Sequence, residues 1–166
     1  MAPDMASMKS ALEAGARPSP DARPRSAQAT REVRRDSALR QARTCYDHLA
    51  GVAGVRLLDE LLNRGWLEEG ECHEAARSSY QLTPDGTKAL NLRGVELELA
   101  PKSRRPFAFG CLDWTERRDH LAGTLGAAIF SALVSSSVVR RQHGTRAVAL
   151  QVKLPGGVRE WLDRRA

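Results

Sequence analysis

The residues Asp47-His48-Leu49-Ala50-Gly51 occur again, unchanged, as Asp119-His120-Leu121-Ala122-Gly123. The match continues without a gap, so that Gly54 aligns with Gly126, and Leu57, Leu58, Leu61 and Leu62 align with Ile129, Phe130, Leu133 and Val134. An internal repeat of this regularity predicts two copies of one structural unit.

Each copy carries the pattern of an amphipathic helix. Leu121, Leu125, Ile129 and Leu133 follow one another at intervals of four residues, which is typical of one helical face. In the first copy Gly65 follows the apolar stripe, as a residue just past a helix end often does. We therefore predict that a helix runs through each DHLAG segment, where the aspartate can serve as its N-cap.

Short extended segments and a second helix follow each predicted helix. Trp66-Leu67 and residues 79–82 flank a charged turn, and Val148, Leu150 and Val152 alternate with other residues in the manner of a half-buried strand. Thr83-Pro84 is typical of a helix start, with the threonine as N-cap and the proline at the first helical position. The predicted unit is a helix, a two-stranded hairpin and a helix, and it occurs twice.

Composition and charge exclude several classes of protein. The 166 residues carry a net charge of +6, distributed as +4 over residues 1–43, −5 over 44–100 and +7 over 101–166. The last third is therefore the part that would attract a nucleic acid. Three cysteines and an N-terminus without an apolar segment argue against a disulfide framework and a secretory signal, so we predict a cytoplasmic protein.

The uncharged stretch 121–139 is long enough to span a membrane. Its counterpart in the first copy contains Arg56, Asp59, Glu60 and Arg64, which a bilayer core would not accept. We therefore predict a buried helix in a protein with no membrane partner.

Two segments resemble a known family. Residues 42–51 (ARTCYDHLAG) and 111–123 (CLDWTERRDHLAG), with Leu-Thr-Pro-Asp-Gly between them, are similar to a subgroup of the ArsR-type bacterial transcriptional regulators. The order of a helix ending in RGWL, a charged hairpin and SYQLTPDG also resembles the rear half of a winged-helix module. The resemblance covers residues 38–166 and implies a regulator of transcription that binds DNA as a dimer.

The resemblance sets the predicted fold and domain boundaries. We expect an α+β, mostly helical fold with two tandem winged-helix-like units behind a disordered N-terminal tail. Residues 15–37 hold three prolines and one aliphatic side chain, Val33, which is too little apolar surface to offset the entropy of ordering. The predicted parts are a flexible basic tail (1–37), a first unit (38–95), a linker (96–110) and a second unit (111–166).

The predicted fold lacks the DNA-reading part of the family. Residues ahead of position 38 are too few and too polar for the N-terminal helix-turn-helix that reads operator DNA in these regulators. We therefore expect the C-terminal effector and dimerisation region of such a regulator, whose DNA contact is weak or supplied by another domain. Its expected partners are DNA, a second copy of the chain and a full-length paralogue.

Two cysteines and two histidines are candidate effector ligands. Cys45 and His48 are three residues apart, so on a helix they would share a face, and Cys111 and His120 lie in the corresponding region of the second copy. If the copies face each other, these four residues could bind a soft metal ion, and the ArsR resemblance also implies oxidant sensing through thiols. The alternative is that all four have structural roles and that no cofactor is bound.

Further candidates are arginines and aromatic residues. Arg140, Arg141, His143 and Arg146 crowd the second hairpin, where they either contact DNA phosphates or form a solvated turn. Trp66, Trp114 and Trp161 are predicted to be core anchors, and the alternative is a ligand pocket lined by Phe107, Phe109 and Trp114.

Catalysis is not expected from this sequence. It contains no glycine-rich phosphate loop, no paired carboxylates and no nucleophile elbow. The two functions that remain are transcriptional regulation of the ArsR-like type and a protein-interaction, small-molecule or metal-sensing module without DNA binding.

Overall fold

The computed structural model describes residues 26–70, 77–97, 105–151 and 157–164. Within these residues the chain is an α+β protein with six helices and eight short strands. The helices are α1 (Ala27–Arg35), α2 (Ala38–Gln41), α3 (Val52–Asn63), α4 (Pro84–Asn91), α5 (Gly123–Ser135) and α6 (Gly157–Asp163). The strands are β1 (Arg43–Cys45), β2 (His48–Ala50), β3 (Leu67–Glu69), β4 (Tyr80–Leu82), β5 (Phe109–Leu112), β6 (Asp119–Ala122), β7 (Val139–Arg141) and β8 (Val148–Leu150).

The strands pair as four antiparallel hairpins, and one order of elements occurs twice. Hairpin β1–β2, helix α3, hairpin β3–β4 and helix α4 form the first unit. Hairpin β5–β6, helix α5, hairpin β7–β8 and helix α6 form the second. The predicted unit thus lacked a hairpin, since each unit begins with two strands ahead of its long helix.

The DHLAG segments are largely strands, and the prediction that a helix capped by the aspartate runs through them was wrong. His48, Leu49 and Ala50 form β2 and are all buried, and Asp119–Ala122 form β6. The backbone turns from strand to helix at Gly51 and Gly123, whose φ angles are +78° and +90°. Glycine adopts such angles without the steric penalty that a side chain would incur. The helix therefore begins at the glycine or just after it, and no aspartate caps it.

The apolar stripes themselves are confirmed. Leu125, Ile129 and Leu133 are buried along α5, and Leu57, Leu58 and Leu61 are buried along α3. Among the described residues, no helix has the length and apolar character needed to cross a membrane.

The predicted second hairpins and their helix starts are also confirmed. Strands β3 and β4 pair with Leu67 opposite Leu82, and β7 and β8 pair with Val139 opposite Leu150. The Thr83 side chain accepts a hydrogen bond from the Gly86 N–H at the start of α4, 3.0 Å away. Gly65 follows α3 with a φ of +64°.

The segment expected to be a flexible tail contains a helix in its described part. The Ser26 Oγ accepts a hydrogen bond from the Ala29 N–H at the start of α1 (3.1 Å). Ala29 is buried, and α1 packs against α2. An N-cap and one buried small residue thus order residues that composition alone predicted to be mobile. Residues 1–25 of the predicted tail lie outside the described part of the chain.

The two units are interlocked rather than arranged side by side. Helix α3 of the first unit packs on β6 of the second, and α5 packs on β2. Backbone hydrogen bonds join β1 to the start of β8, with Thr44 N–H donating to Arg146 O (2.9 Å). In the same way Gly110 N–H of β5 donates to Ser78 O, just before β4 (2.8 Å). Each first hairpin is therefore hydrogen-bonded to the second hairpin of the other unit, and one hydrophobic core runs through both units.

Candidate metal site

Hairpins β1–β2 and β5–β6 each present one cysteine and one histidine. Cys45 lies directly opposite His48 in the first hairpin, and Cys111 lies directly opposite His120 in the second. The prediction that Cys45 and His48 share a helical face was therefore wrong, although the two residues are neighbours across strands. Two residues separate cysteine from histidine in the first hairpin and eight in the second. The longer turn explains why Cys111 does not align with Cys45 in the sequence repeat.

The two hairpins meet so that all four side chains converge. His48 Nε2 lies 3.2 Å from His120 Nε2, and the ligand atoms of Cys45, His48, Cys111 and His120 all lie within 4.8 Å of one another. In a tetrahedral zinc site with Zn–N distances near 2.05 Å, two nitrogens lie about 3.3 Å apart. The observed separation of the imidazole nitrogens matches that spacing.

The histidines are buried and the cysteines are partly exposed. His48 and His120 are 5% and 1% exposed, and both thiols are free. A hydrogen bond from Cys111, followed by the two imidazoles, lowers the pKa of Cys45 well below its usual value. The neighbouring Cys45 thiolate, followed by burial, raises the pKa of Cys111. The pair therefore holds one negative charge more readily than two, and a cation at the centre would favour the second thiolate.

A carboxylate stands behind each imidazole. Asp47 Oδ1 lies 3.2 Å from His48 Nδ1, and Asp113 Oδ2 lies 3.1 Å from His120 Nδ1. The first contact is a hydrogen bond, whereas the second has the distance of an ion pair without the alignment of a regular hydrogen bond. Burial on its own lowers the pKa of His120, but Asp113 and then Cys45 outweigh it and raise that pKa.

This donor set suits a metal ion. If each imidazole carries its proton on Nδ1, beside a carboxylate, the two Nε2 lone pairs point at each other across 3.2 Å. Only a shared proton or a cation between them would make that arrangement favourable. Two thiolates and two imidazoles in a tetrahedron are a combination typical of zinc.

The sequence-predicted DNA-contacting residues lie together on the second hairpin of the second unit. Arg140 and Arg141 are in β7, His143 and Arg146 follow in the turn, and all four are exposed. The Arg141 guanidinium lies over the Phe130 ring, 4.8 Å from its centroid.

The three aromatic pocket candidates are divided between two places. Phe107 and Phe109 line a cavity of about 250 Å³ beside Tyr80 and Arg77. Trp114 does not line this cavity, and its ring lies 4.7 Å beneath the Arg43 guanidinium. Of the tryptophans proposed as core anchors, Trp161 is fully buried.

Sequence reasoning missed the buried charges behind the site. Arg43, Asp113 and Thr115 are almost completely buried and hydrogen-bonded to one another. Arg105, in the predicted linker 96–110, pairs with Asp47. Neither ion pair forms a local motif, because each arginine lies about 60 to 70 residues from its aspartate in sequence.

The chain is similar to a curated bacterial protein. It is 34% identical over 120 residues to the HTH-type transcriptional regulator YdfF of Bacillus subtilis (strain 168). The match covers 72% of this chain and 50% of YdfF, so the chain spans about half the length of that relative. No protein-family model matches the sequence, and no solved structure shows significant similarity to it.

Proposed function

We propose that this chain is the effector-sensing region of an ArsR-like, winged-helix transcriptional regulator, and that its effector is a metal ion bound by Cys45, His48, Cys111 and His120. The observation that carries the proposal is the convergence of four ligand atoms within 4.8 Å of one another. The similarity to an HTH-type regulator supports a role in transcription. Sequence-specific reading of DNA would be supplied by another domain or a partner chain.

The cysteines and the histidines would have different roles in binding the ion. The two thiolates supply negative charge and select a soft or borderline ion, while the two imidazoles complete the tetrahedron. The bound ion would supply a cross-link between hairpins β1–β2 and β5–β6. Because each hairpin contributes one cysteine and one histidine, neither unit could bind the ion tightly without the other.

Metal titration tests this proposal. Purified protein with Cys72 replaced by serine, so that only Cys45 and Cys111 report as thiols, is titrated with Co²⁺ and then with Zn²⁺. We expect one ion per chain and the thiolate-to-metal absorption of a tetrahedral cobalt site. Cys45→Ser and His120→Ala should abolish that spectrum, whereas His143→Ala, at an exposed turn position, should not change it. Absence of ion binding by the parent protein would overturn the proposal.

The second candidate effector of this site is an oxidant that reacts with the two thiols. The two thiols are close to each other and partly exposed, and the lowered pKa of Cys45 favours the reactive thiolate. Mild hydrogen peroxide would convert the Cys45 thiolate to a sulfenic acid, and attack by Cys111 would release water and form a disulfide. Thiol counting in the Cys72→Ser protein distinguishes the cases: loss of two thiols with no bound metal would favour oxidant sensing.

The basic hairpin β7–β8 is the proposed contact with DNA. Its four candidate residues are exposed, and its second strand is hydrogen-bonded to β1, the strand that carries Cys45. We expect weak, salt-dependent binding to any duplex, because phosphate contacts carry no sequence information. Tight, sequence-selective binding by this chain at physiological salt would show that it contains its own DNA reader.

Self-association and pairing with a full-length paralogue complete the proposed function. Light scattering across a concentration series tests the homodimer, and mixing with a tagged paralogue tests the hetero-pair. A monomeric chain with no affinity for DNA would instead favour an interaction or metal-sensing module that does not bind DNA.

A further inference from the structure

Each histidine of the candidate site is backed by a carboxylate, and each carboxylate is held by an arginine from the other unit. From this arrangement we infer that Asp47 and Asp113 are positioning residues, which fix the two imidazoles so that both Nε2 atoms face one divalent, tetrahedrally coordinated ion. The inference rests on the proposed metal site and specifies which ion it selects and which residues prepare it.

On the first side, Asp47 links His48 to Arg105. The Arg105 guanidinium donates to both carboxylate oxygens, with Nη2 2.8 Å from Oδ1 and Nη1 bonded to Oδ2. The same Oδ1 faces His48 Nδ1 at 3.2 Å. A carboxylate held by a two-pronged arginine has little freedom to rotate, so the imidazole proton has one preferred position, on Nδ1.

On the second side, Asp113 links His120 to Arg43 in the interior. The Arg43 Nη2 lies 2.7 Å from Asp113 Oδ1, and the side chains are 1% and 0% exposed. Asp113 Oδ2 accepts a hydrogen bond from the Gly51 N–H (2.8 Å) and faces His120 Nδ1 at 3.1 Å. One buried carboxylate therefore connects His120, the turn into α3 and the strand that carries Cys45.

Each of the two arginine–aspartate ion pairs joins one unit to the other. Arg43 belongs to β1 of the first unit and reaches Asp113 of the second, whereas Arg105 precedes β5 of the second unit and reaches Asp47 of the first. Structural metal sites commonly place a carboxylate behind a ligating histidine, but here the same contacts also join the two halves of the site.

The charges around the centre indicate the class of ion. Each aspartate is neutralised by its arginine, and Asp119 and Arg77, the further charged groups that act on Cys111, are of opposite sign. Two thiolates then balance a divalent ion, whereas a monovalent ion bound by the same two thiolates would leave one negative charge in a largely buried site. A neutral centre with two sulfur and two nitrogen ligands favours Zn²⁺ or a tetrahedral substitute such as Co²⁺.

The experiment compares two matched aspartates. Asp47→Asn keeps the shape of the side chain but removes its charge, and Asp59→Asn makes the same change in a partly exposed ion pair with Arg118 that does not touch the site. We expect Asp47→Asn to bind Co²⁺ about 10- to 100-fold more weakly than the parent protein, with an unchanged spectral shape. Asp59→Asn should bind as the parent does.

A second measurement reports directly on positioning. Long-range ¹H–¹⁵N NMR of the metal-free protein should show His48 protonated on Nδ1, beside Asp47, in the parent protein. In Asp47→Asn the His48 ring should lose that preference for Nδ1. Asp113→Asn is expected to weaken binding similarly, but Asp47→Asn decides the question because its partly exposed position makes unfolding a minor concern.

The outcomes separate this inference from the proposed function. If the parent protein binds no divalent ion, the proposed metal site itself is refuted. If the parent binds Co²⁺ but Asp47→Asn binds it equally well, with His48 still protonated on Nδ1, the site stands and the positioning role is wrong. A parent protein that prefers Cu⁺ over Zn²⁺ at equal free concentration would overturn the charge argument.

Discussion

Replacing Gly126 by alanine tests the close packing of α5 against the strand β6 that precedes it, because general helix propensity and the structure predict opposite signs. In an ordinary helix interior this substitution stabilises a protein by about 1 kcal/mol. Here a Cβ at position 126 would lie 2.6 Å from Leu121 O and 3.0 Å from Leu121 C, and 3.4 Å from the His48 Cβ of the other unit. The first two are backbone atoms that no rotamer change can move.

The magnitude follows from those contacts. Overpacking costs about 1–3 kcal/mol, and contact with fixed backbone places this site at the upper end, so the net loss after the propensity gain is about 2 kcal/mol. For a chain of this size the loss would lower the thermal midpoint by about 4–8 °C. The His48 Cβ, at 3.4 Å, would remain in ordinary van der Waals contact, so Co²⁺ affinity should change little in this variant.

Calorimetry measures the thermal midpoint of Gly126→Ala, with Ser131→Ala as the control. Ser131 is exposed on the same helix, so its replacement should be neutral or slightly stabilising. Gly54→Ala should behave like Gly126→Ala, since its Cβ would lie 2.4 Å from Leu49 O and 3.3 Å from the His120 Cβ. A Gly126→Ala protein as stable as the parent would refute the close packing of α5 against its own strand, β6.

Three further predictions concern the core, the buried ion pair and the basic hairpin. Leu61→Ala and Leu133→Ala, at two fully buried positions, should each cost about 2–5 kcal/mol in urea unfolding, and a loss at only one of them would contradict the equivalence of the units. Arg43→Met should cost about 3–5 kcal/mol, because it leaves the Asp113 charge buried without its partner, and a neutral result would show that water reaches that carboxylate. Replacing Arg140, Arg141 and Arg146 by alanine should reduce the log–log salt slope of duplex binding by about 2.7, at about 0.9 per phosphate contact, whereas an unchanged slope would place the DNA contact elsewhere.

The parts of the fold that follow local rules could be predicted from the sequence. The stripe on α5, the cap at Thr83 and the two second hairpins depend on neighbours a few residues away, and all of them are present. The DHLAG strands could not be predicted in this way. His48, Leu49 and Ala50 are buried on both faces of a three-residue strand, so they show no alternation, and Leu121 extended the four-residue spacing of the following helix by chance.

The candidate site was predictable in its membership but not in its geometry. The repeat brought Cys45, His48, Cys111 and His120 into one hypothesis, because equivalent segments of two similar units often lie near a common axis. Their actual arrangement depends on cross-strand register, which makes Cys45 a neighbour of His48 by pairing rather than by helical spacing. Asp113 and Arg43 remained unnoticed since a buried ion pair between distant residues leaves no local pattern.

The contact between the first hairpin of one unit and the second hairpin of the other also places the candidate metal site next to the proposed DNA contact. Cys45 belongs to β1, and the Thr44 N–H beside it donates to Arg146 O in the basic hairpin. Ion binding stabilises only the arrangement in which hairpins β1–β2 and β5–β6 are docked, because the ligands come from both. The Val148 N–H of β8 also donates to Ala42 O, just before β1, so that β1 and the basic hairpin are held together. On the proposed function, an ion bound at Cys45 would thus alter DNA contact through β1 and its backbone hydrogen bonds to the basic hairpin.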